Sequence, residues 1–392
     1  MRLANTFKKE DITMAYPEID FLYLSEKDMI EAGVTDTVKC TECMEEVLKT
    51  LDKGDYRMGG KNGNSHGTMI QFPDNPEFPG MPKNGPDRRF MCMPAYLGGK
   101  FQIAGVKWYG SNVDNREIGL PRSILMVTLN DKDTGAPIAY MSANLESAYR
   151  TAGVPGAGVK TLALKDSKVL GIVGPGFINC IEVETFCHLR PSIDTLKIKG
   201  RGKASIDRCI AYVKEHCPQI KNFIVCETLE ECVRDSDILS FATSTPTGGQ
   251  DTYPYIDPVW LKPGCLACGM GAMNTSEELI MNPKTKLVVD NTKLYDAWAE
   301  EYPYPTFDTW FLIGSKFTDM IHEGKLERER MEDIGGILNG RLPGRESDDQ
   351  IIIYSIGGMP VEDVAWGKTC YENALKKGIG TKLNLWDKPY LY

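Results

Sequence analysis

Two rhythms of apolar residues divide this chain. From Phe101 to Tyr140 apolar and polar positions alternate, with breaks at Asn115, at Gly119-Leu120-Pro121 and at Asp131-Lys132-Asp133-Thr134-Gly135. A period of two with turn residues between runs predicts an antiparallel sheet. From Lys168 onward, short apolar runs recur at 168–173, 194–199, 222–225, 237–242, 265–269 and 286–290, with helical stretches between them. That alternation predicts a parallel, doubly wound sheet. The expected fold class is α/β: a doubly wound parallel sheet plus an α+β domain.

Local signals fill in the rest. Phe21-Leu22-Tyr23-Leu24 is a short apolar run, and Ser25-Glu26-Lys27-Asp28 reads as a helix N-cap with an acidic first turn. A longer amphipathic helix follows and ends at Gly54. Residues 57–99 are dense in Gly, Pro and Asn, which predicts a long irregular loop or a hairpin insertion. Ala148 to Ala163 is a helix rich in small residues, suited to close packing. Val361 to Gly378 is a helix with apolar positions at Val364, Ala365, Cys370 and Ala374, stopped by Gly378-Ile379-Gly380. Because it follows the last α/β element, it is expected to cross back to the N-terminal domain.

At 392 residues the chain can build two cores. Its net charge of −9 argues against nucleic acid or an anionic membrane as the main partner. The longest apolar runs are strand-sized, so none spans a bilayer. The first residues, MRLANTFKKED, lack the apolar core of a signal peptide, and a cytoplasmic location is expected. Twelve cysteines include two CxxC spacings, Cys40/Cys43 and Cys265/Cys268. The first lies in a helical pattern and the second in an apolar run, so buried thiols are expected rather than zinc ligands. The four histidines, His66, His188, His216 and His322, have no metal-ligand spacing, and no metal is expected.

The chemistry concentrates between Lys107 and Asn179. The run 168–173 enters Gly174-Pro175-Gly176, and a helix begins near Phe177 and Ile178. Strand, Gly-x-Gly turn and helix N-terminus make a pyrophosphate site: glycines let the backbone approach, and free N–H groups face the negative charge. Asn179 stands where a small residue is usual. After the next strand comes Gly200-Arg201-Gly202-Lys203, with no acid to accept from a ribose hydroxyl and with Arg201 and Lys203 available to a 2′-phosphate. NADP(H) is therefore expected, with NAD(H) as the alternative. Lys107 ends an apolar run, and Arg150 interrupts the small-residue helix. Each is either a salt-bridged core cation or part of a clamp for a substrate carboxylate. His66, in the Gly/Asn-rich loop, is either an exposed loop residue or an active-site group.

Laid out together, these residues resemble the ornithine cyclodeaminase/μ-crystallin family over almost the whole chain. The resemblance rests on LYLSEKDM near the start, MPAYLGG at 93–99, GVKW, NxxxGLPR, the turn at 129–137, YRTAG at 149–153, GPG, DIGGILNGRLPGR at 333–345 and YSIGG at 354–358. It implies a homodimer, with a substrate-binding and dimerisation domain from residues 1–148 and 355–392 clasping a Rossmann domain at 149–354. It makes Lys107 and Arg150 the substrate-carboxylate cations, and Ser355 and Ile356 the pair flanking nicotinamide and substrate. A further upstream arginine is assigned to Arg57, with Arg88 or Arg89 as alternatives. Arg122 and Thr243 join Gly174, Gly176, Phe177 and Ile178 as cofactor residues. The implied activity is an NAD(P)(H)-dependent oxidoreductase acting at the C–N bond of a small amino or imino acid. A cyclodeaminase-like ammonia-lyase, a subunit of a tyramine oxidase and a non-catalytic NADPH-binding protein are the alternatives. The chain departs from the cyclodeaminases at three places: Ala272 replaces an aspartate, Ser276 a lysine and Met91 a glutamate. Those changes remove the obvious carriers of acid/base chemistry.

Overall fold

The computed structural model describes residues 17–243 and 248–390; the segment MRLANTFKKED lies outside them. Two eight-stranded sheets carry the fold. The first is built from β1 (Ile19–Leu24), β2 (Tyr56–Met58), β3 (Thr68–Gln71), β4 (Arg89–Leu97), β5 (Ile103–Ser111), β6 (Ser123–Asn130) and β7 (Pro137–Ser142). The second begins with β8 (Val169–Val173), β9 (Thr195–Lys199), β10 (Asn222–Val225) and β11 (Ile238–Phe241). Two short strands, β12 (Tyr255–Ile256) and β14 (Asn274–Thr275), pair on their own. They flank β13 (Leu266–Gly269), and β15 (Lys286–Val289), β16 (Met331–Asp333) and β17 (Ile352–Ser355) complete the second sheet. The last strand, β18 (Thr381–Trp386), returns to the first.

The first sheet runs β18-β1-β7-β6-β5-β4-β2, with β3 also on β4. It is antiparallel except where β1 pairs with β7. The second runs β10-β9-β8-β11-β13-β17-β15-β16 and is parallel throughout. Its strands β11, β13, β15 and β17 are buried along their whole length. Continuous apolar runs are what a parallel sheet covered on both faces requires. The strand order reverses direction between β8 and β11, and ligands bind at such a switch point, beyond the carboxyl ends of the strands.

The insertion expected over 57–99 is more ordered than its composition suggests. It contains β2, β3 and the nine-residue β4. Pro94 sits mid-strand in β4, where a missing N–H would normally break the ladder. On that side β2 ends opposite Ala95 and β3 begins opposite Cys92, so Pro94 falls in the gap between two short neighbours. β16, β17 and β18 were not anticipated as strands either.

Four helices pack around the sheets. Ser25 caps the helix Glu26–Glu31 through a reciprocal pair with Asp28, and the helix Thr37–Asp52 follows. The connecting helix Asn144–Leu162 is packed at glycine distance on both sides. A Cβ on Gly153 would lie 2.9 Å from Met44, and one on Gly158 would lie 2.6 Å from Tyr354. The C-terminal helix Pro360–Lys377 lies across β4, β5 and β6 of the first sheet and stops at Gly378 (φ 65°). No helix among the described residues is long and apolar enough to cross a membrane.

Candidate functional site

The dinucleotide fingerprint forms as a turn between β8 and the helix Phe177–Leu189. Gly174 has φ +90°, and a Cβ there would lie 2.9 Å from the Ala242 carbonyl, so only glycine fits. Gly176 is the helix N-cap, faces open space and has no side-chain acceptor on the first turn. The N–H groups of that turn are therefore free for a phosphate. Thr243 follows β11 beside Gly174, and among the described residues its buried hydroxyl has no partner. An open glycine, an uncapped helix start and an orphaned hydroxyl at the switch point all fit a bound dinucleotide. Phe177 is exposed and Ile178 is packed against the core.

Asn179, in the small-residue position, ties the turn from beneath. Its Nδ2 donates to the Val173 carbonyl at 3.0 Å and to the Gly174 carbonyl at 2.8 Å, and its Oδ1 accepts from Ser240 at 2.7 Å. Ser240 also bonds Glu182, which is fully buried and pushed up to about 8 by burial, with the Ser240 bond opposing the shift. Arg201 and Lys203 are exposed at the end of β9, and Lys203 pairs with Asp207 at 2.6 Å. This loop abuts the fingerprint, since a Cβ on Gly200 would lie 2.6 Å from Pro175.

Lys107 and Arg150 converge. Lys107 Nζ reaches Asp363 at 2.8 Å and Ser147 at 3.3 Å. Arg150 donates from Nε to the same Asp363 oxygen at 2.9 Å and from Nη1 to Glu362 at 2.7 Å. Both acids sit on the C-terminal helix and are fully buried. Burial pulls Arg150 down in pKa, but Asp363 and Glu362 outweigh it and hold the guanidinium firmly charged. Glu362 is raised to about 7 by burial, against the pull of Arg150. A third acid, Glu146, is buried with both oxygens unpartnered, and burial followed by Asp363 drives its pKa upward. Among the described residues, Nη2 of Arg150 and one donor of Lys107 have no acceptor, which leaves two directed positive groups for an incoming anion.

This clamp adjoins the carboxyl end of β17 in the second sheet. A Cβ on Gly358 would lie 2.8 Å from Arg150 Nη1, and Gly358 follows Ser355 and Ile356 at the end of β17. Ser355 is fully buried and accepts from Tyr295 and from the Gly314 N–H, both at 2.9 Å. Ile356 is buried, with its N–H on the Gly269 carbonyl. Asp290 accepts from the N–H groups of Gly357 at 2.7 Å and Gly358 at 3.0 Å, which holds the loop in place.

Other expected site residues fall elsewhere. Arg57 pairs with Tyr96 across β2 and β4, three residues from the Lys107 partner Met93, so it projects from the opposite face of the sheet. Its guanidinium bonds the Tyr56 carbonyl at 2.5 Å. Arg89 is four residues from Met93 and shares the Lys107 face. The two cations flank one ring, Arg89 at 5.7 Å and Lys107 at 5.9 Å from the Tyr109 centroid. Arg88 bonds the Lys83 carbonyl on the surface. Arg122 pairs with Asp87 at 2.8 Å, as does Arg89, so its contacts lie at the end of the first sheet rather than at the fingerprint. Met91 is buried on the Lys107 face, Ala272 is fully buried and Ser276 caps a short helix. The two CxxC pairs are buried on separate elements, one in the helix Thr37–Asp52 and one at β13. Sequence reasoning passed over Asp363, Glu362 and Glu146. The adjacent acids inside an apolar helix pattern were the available signal.

The model of the ornithine cyclodeaminase/mu-crystallin family matches residues 34–378. The chain is 28% identical over 370 residues to the N-((2S)-2-amino-2-carboxyethyl)-L-glutamate dehydrogenase of Staphylococcus aureus, covering 94% of this chain and 99% of that one. An archaeal alanine dehydrogenase dimer with bound NAD has a similar fold, with TM-score 0.72 and 24% identity over 94% of this chain and 100% of the other. So does the Thermococcus litoralis Δ1-pyrroline-2-carboxylate reductase in complex with NADH and L-proline, with TM-score 0.71 and 24% identity over 92% and 99%.

Proposed function

The chain belongs to the ornithine cyclodeaminase/mu-crystallin family, and on that premise we propose that it is an oxidoreductase acting at the C–N bond of a small amino or imino acid. The observation that carries this reading is the convergence of Lys107 and Arg150 on Asp363, one residue contact away from Gly358 and the end of β17. Asp363 and Glu362 orient the two cations, and their remaining donors receive the substrate carboxylate. That contact fixes the α-carbon above the strand ends, where a nicotinamide supplies or accepts hydride. The two solved structures described above hold NAD and NADH. In this chain Arg201 and Lys203 favour the 2′-phosphate of NADP(H), and so imine reduction as the working direction. A homodimer in the cytoplasm completes the reading. The archaeal relative is a dimer, and Phe21, Tyr23, Tyr140, Leu383 and Leu385 line an apolar groove on the first sheet.

Ala272 and Ser276 give ornithine cyclisation no carboxylate or amine to work with, so reduction is preferred to ammonia-lyase chemistry. The test is a screen of imines formed from 2-oxo acids and amines, following oxidation of NADPH and NADH. Turnover of carboxylated imines, and none of decarboxylated analogues, is the expected result. Tight dinucleotide binding with no turnover of any carboxylated imine would instead make this a binding protein.

A further inference from the structure

We propose that His66 is the catalytic group that meets the substrate nitrogen, taking its N–H proton at Nε2 during oxidation and returning it during reduction. The inference rests on the amino/imino-acid reading above. His66 comes from the Gly/Asn-rich insertion, yet its ring lies against the clamp. Nδ1 is 2.8 Å from the carbonyl of Gly358, where an added Cβ would lie 2.8 Å from Arg150 Nη1. A carbonyl oxygen only accepts, so the hydrogen sits on Nδ1 and the neutral ring carries its lone pair on Nε2. Among the described residues, Nε2 has no hydrogen-bond partner.

Two aromatic rings neighbour the imidazole, with Trp298 at 5.9 Å and Trp310 at 6.0 Å between centroids. The charged groups that face it are Lys107 from β5, Arg150 from the connecting helix and Asp363 from the C-terminal helix. An acceptor held rigidly beside two carboxylate-binding cations is placed for the nitrogen on the same α-carbon. The need for such a group is local to this chain, because Ala272 and Met91 are apolar and buried.

Electrostatics couple this base to substrate binding. Burial, followed by Lys107 and Arg150, holds His66 down to about 3, with the Gly358 bond opposing. A carboxylate arriving on the two cations offsets their charge, so the imidazole gains basicity when substrate is present. In oxidation the Cα–H bond breaks and its electron pair leaves as hydride for an oxidised nicotinamide. The nitrogen lone pair closes the C=N bond, and the N–H proton passes to Nε2. The carbon is oxidised, the nicotinamide is reduced, and the imidazolium still donates Nδ1–H to Gly358. Reduction reverses each movement.

His66→Asn keeps an N–H for the Gly358 carbonyl and deletes Nε2. Its kcat/KM should fall roughly 10²- to 10⁴-fold, and the acidic limb of the pH profile should vanish, with NADPH affinity and Tm unchanged. A second readout needs no turnover: heteronuclear NMR of the labelled imidazole should show the Nδ1–H tautomer, with a titration midpoint that rises when sodium acetate is added. An Nε2–H tautomer, a midpoint indifferent to acetate, or a variant within threefold of wild type with an unchanged profile would overturn the proposal. If the wild type turns over no carboxylated imine, the reading of the reaction fails separately, and the tautomer with its acetate response still decides His66.

Discussion

At the residue scale, one acid organises the site. Asp363 accepts from both Lys107 and Arg150 through a single oxygen while its second oxygen has no partner. A buried ion cluster of this kind is weak evidence for stability, because desolvation offsets attraction; its value lies in orientation. The clamp makes a direct prediction. Arg150→Ala and Lys107→Ala should each lower kcat/KM for a carboxylated substrate by on the order of 10²-fold or more, since a charged contact is lost in a largely desolvated pocket. A decarboxylated analogue should react poorly with the wild type and lose far less on mutation. If the amine lacking a carboxylate is the better substrate, the two cations serve another end and an amine-oxidising role gains.

Elements turn single residues into a cofactor cradle. The loop after β9 presents Arg201 beside the fingerprint, so NADPH should bind more tightly than NADH. Arg201→Ala should narrow that preference by about tenfold, as for one lost charge-assisted bond; equal affinities in the wild type would remove the NADP assignment. Beneath the turn, a single hydroxyl proton on Ser240 cannot serve both Asn179 and an ionised Glu182. A protonated Glu182 resolves this by donating to Ser240, which then donates to Asn179. Its folded pKa of about 8 lies above the unfolded carboxylate value of 4.5. The contribution of Glu182 is therefore complete below the unfolded pKa and is lost as pH rises through the folded one. Between those values the Tm of the wild type should decline with pH. Glu182→Gln, which keeps a donor for Ser240, should flatten that decline. A slope identical to wild type would show that Glu182 is ionised throughout.

For the whole molecule, the C-terminal return is decisive. The helix Pro360–Lys377 delivers Glu362 and Asp363 to cations that lie more than two hundred residues earlier in the chain, and β18 then adds to the edge of the first sheet. All six β18 residues are exposed. Phe21, Tyr23, Tyr140, Leu383 and Leu385 line an open apolar groove there. Apolar surface of that kind marks an association face, and a second copy of the chain is the occupant proposed above. The double variant Leu383→Asp, Leu385→Asp should sediment as a monomer with its dinucleotide binding retained. A dimer of undiminished stability would place the interface elsewhere.

What the sequence alone determined was local or periodic. The six βα runs appear as strands within a residue or two of their expected bounds. Ser25 and Gly378 cap the helices they were expected to cap, because caps and periods depend on neighbours a few residues away. The fingerprint was legible for the same reason: strand, turn and helix start are contiguous. Lys107 and Arg150 were visible as lone charges in apolar surroundings, but one dimension could not say which partners they had. Only the tertiary structure put Arg57 and Lys107 on opposite faces, since a strand position changes face with each residue of register. It likewise decided between the irregular loop and the hairpin insertion expected over 57–99 in favour of paired strands, with Pro94 in the gap between two short neighbours. Asp363 and His66 reach the clamp through long-range chain closure, and charge pairing across a core leaves no period in the sequence to read.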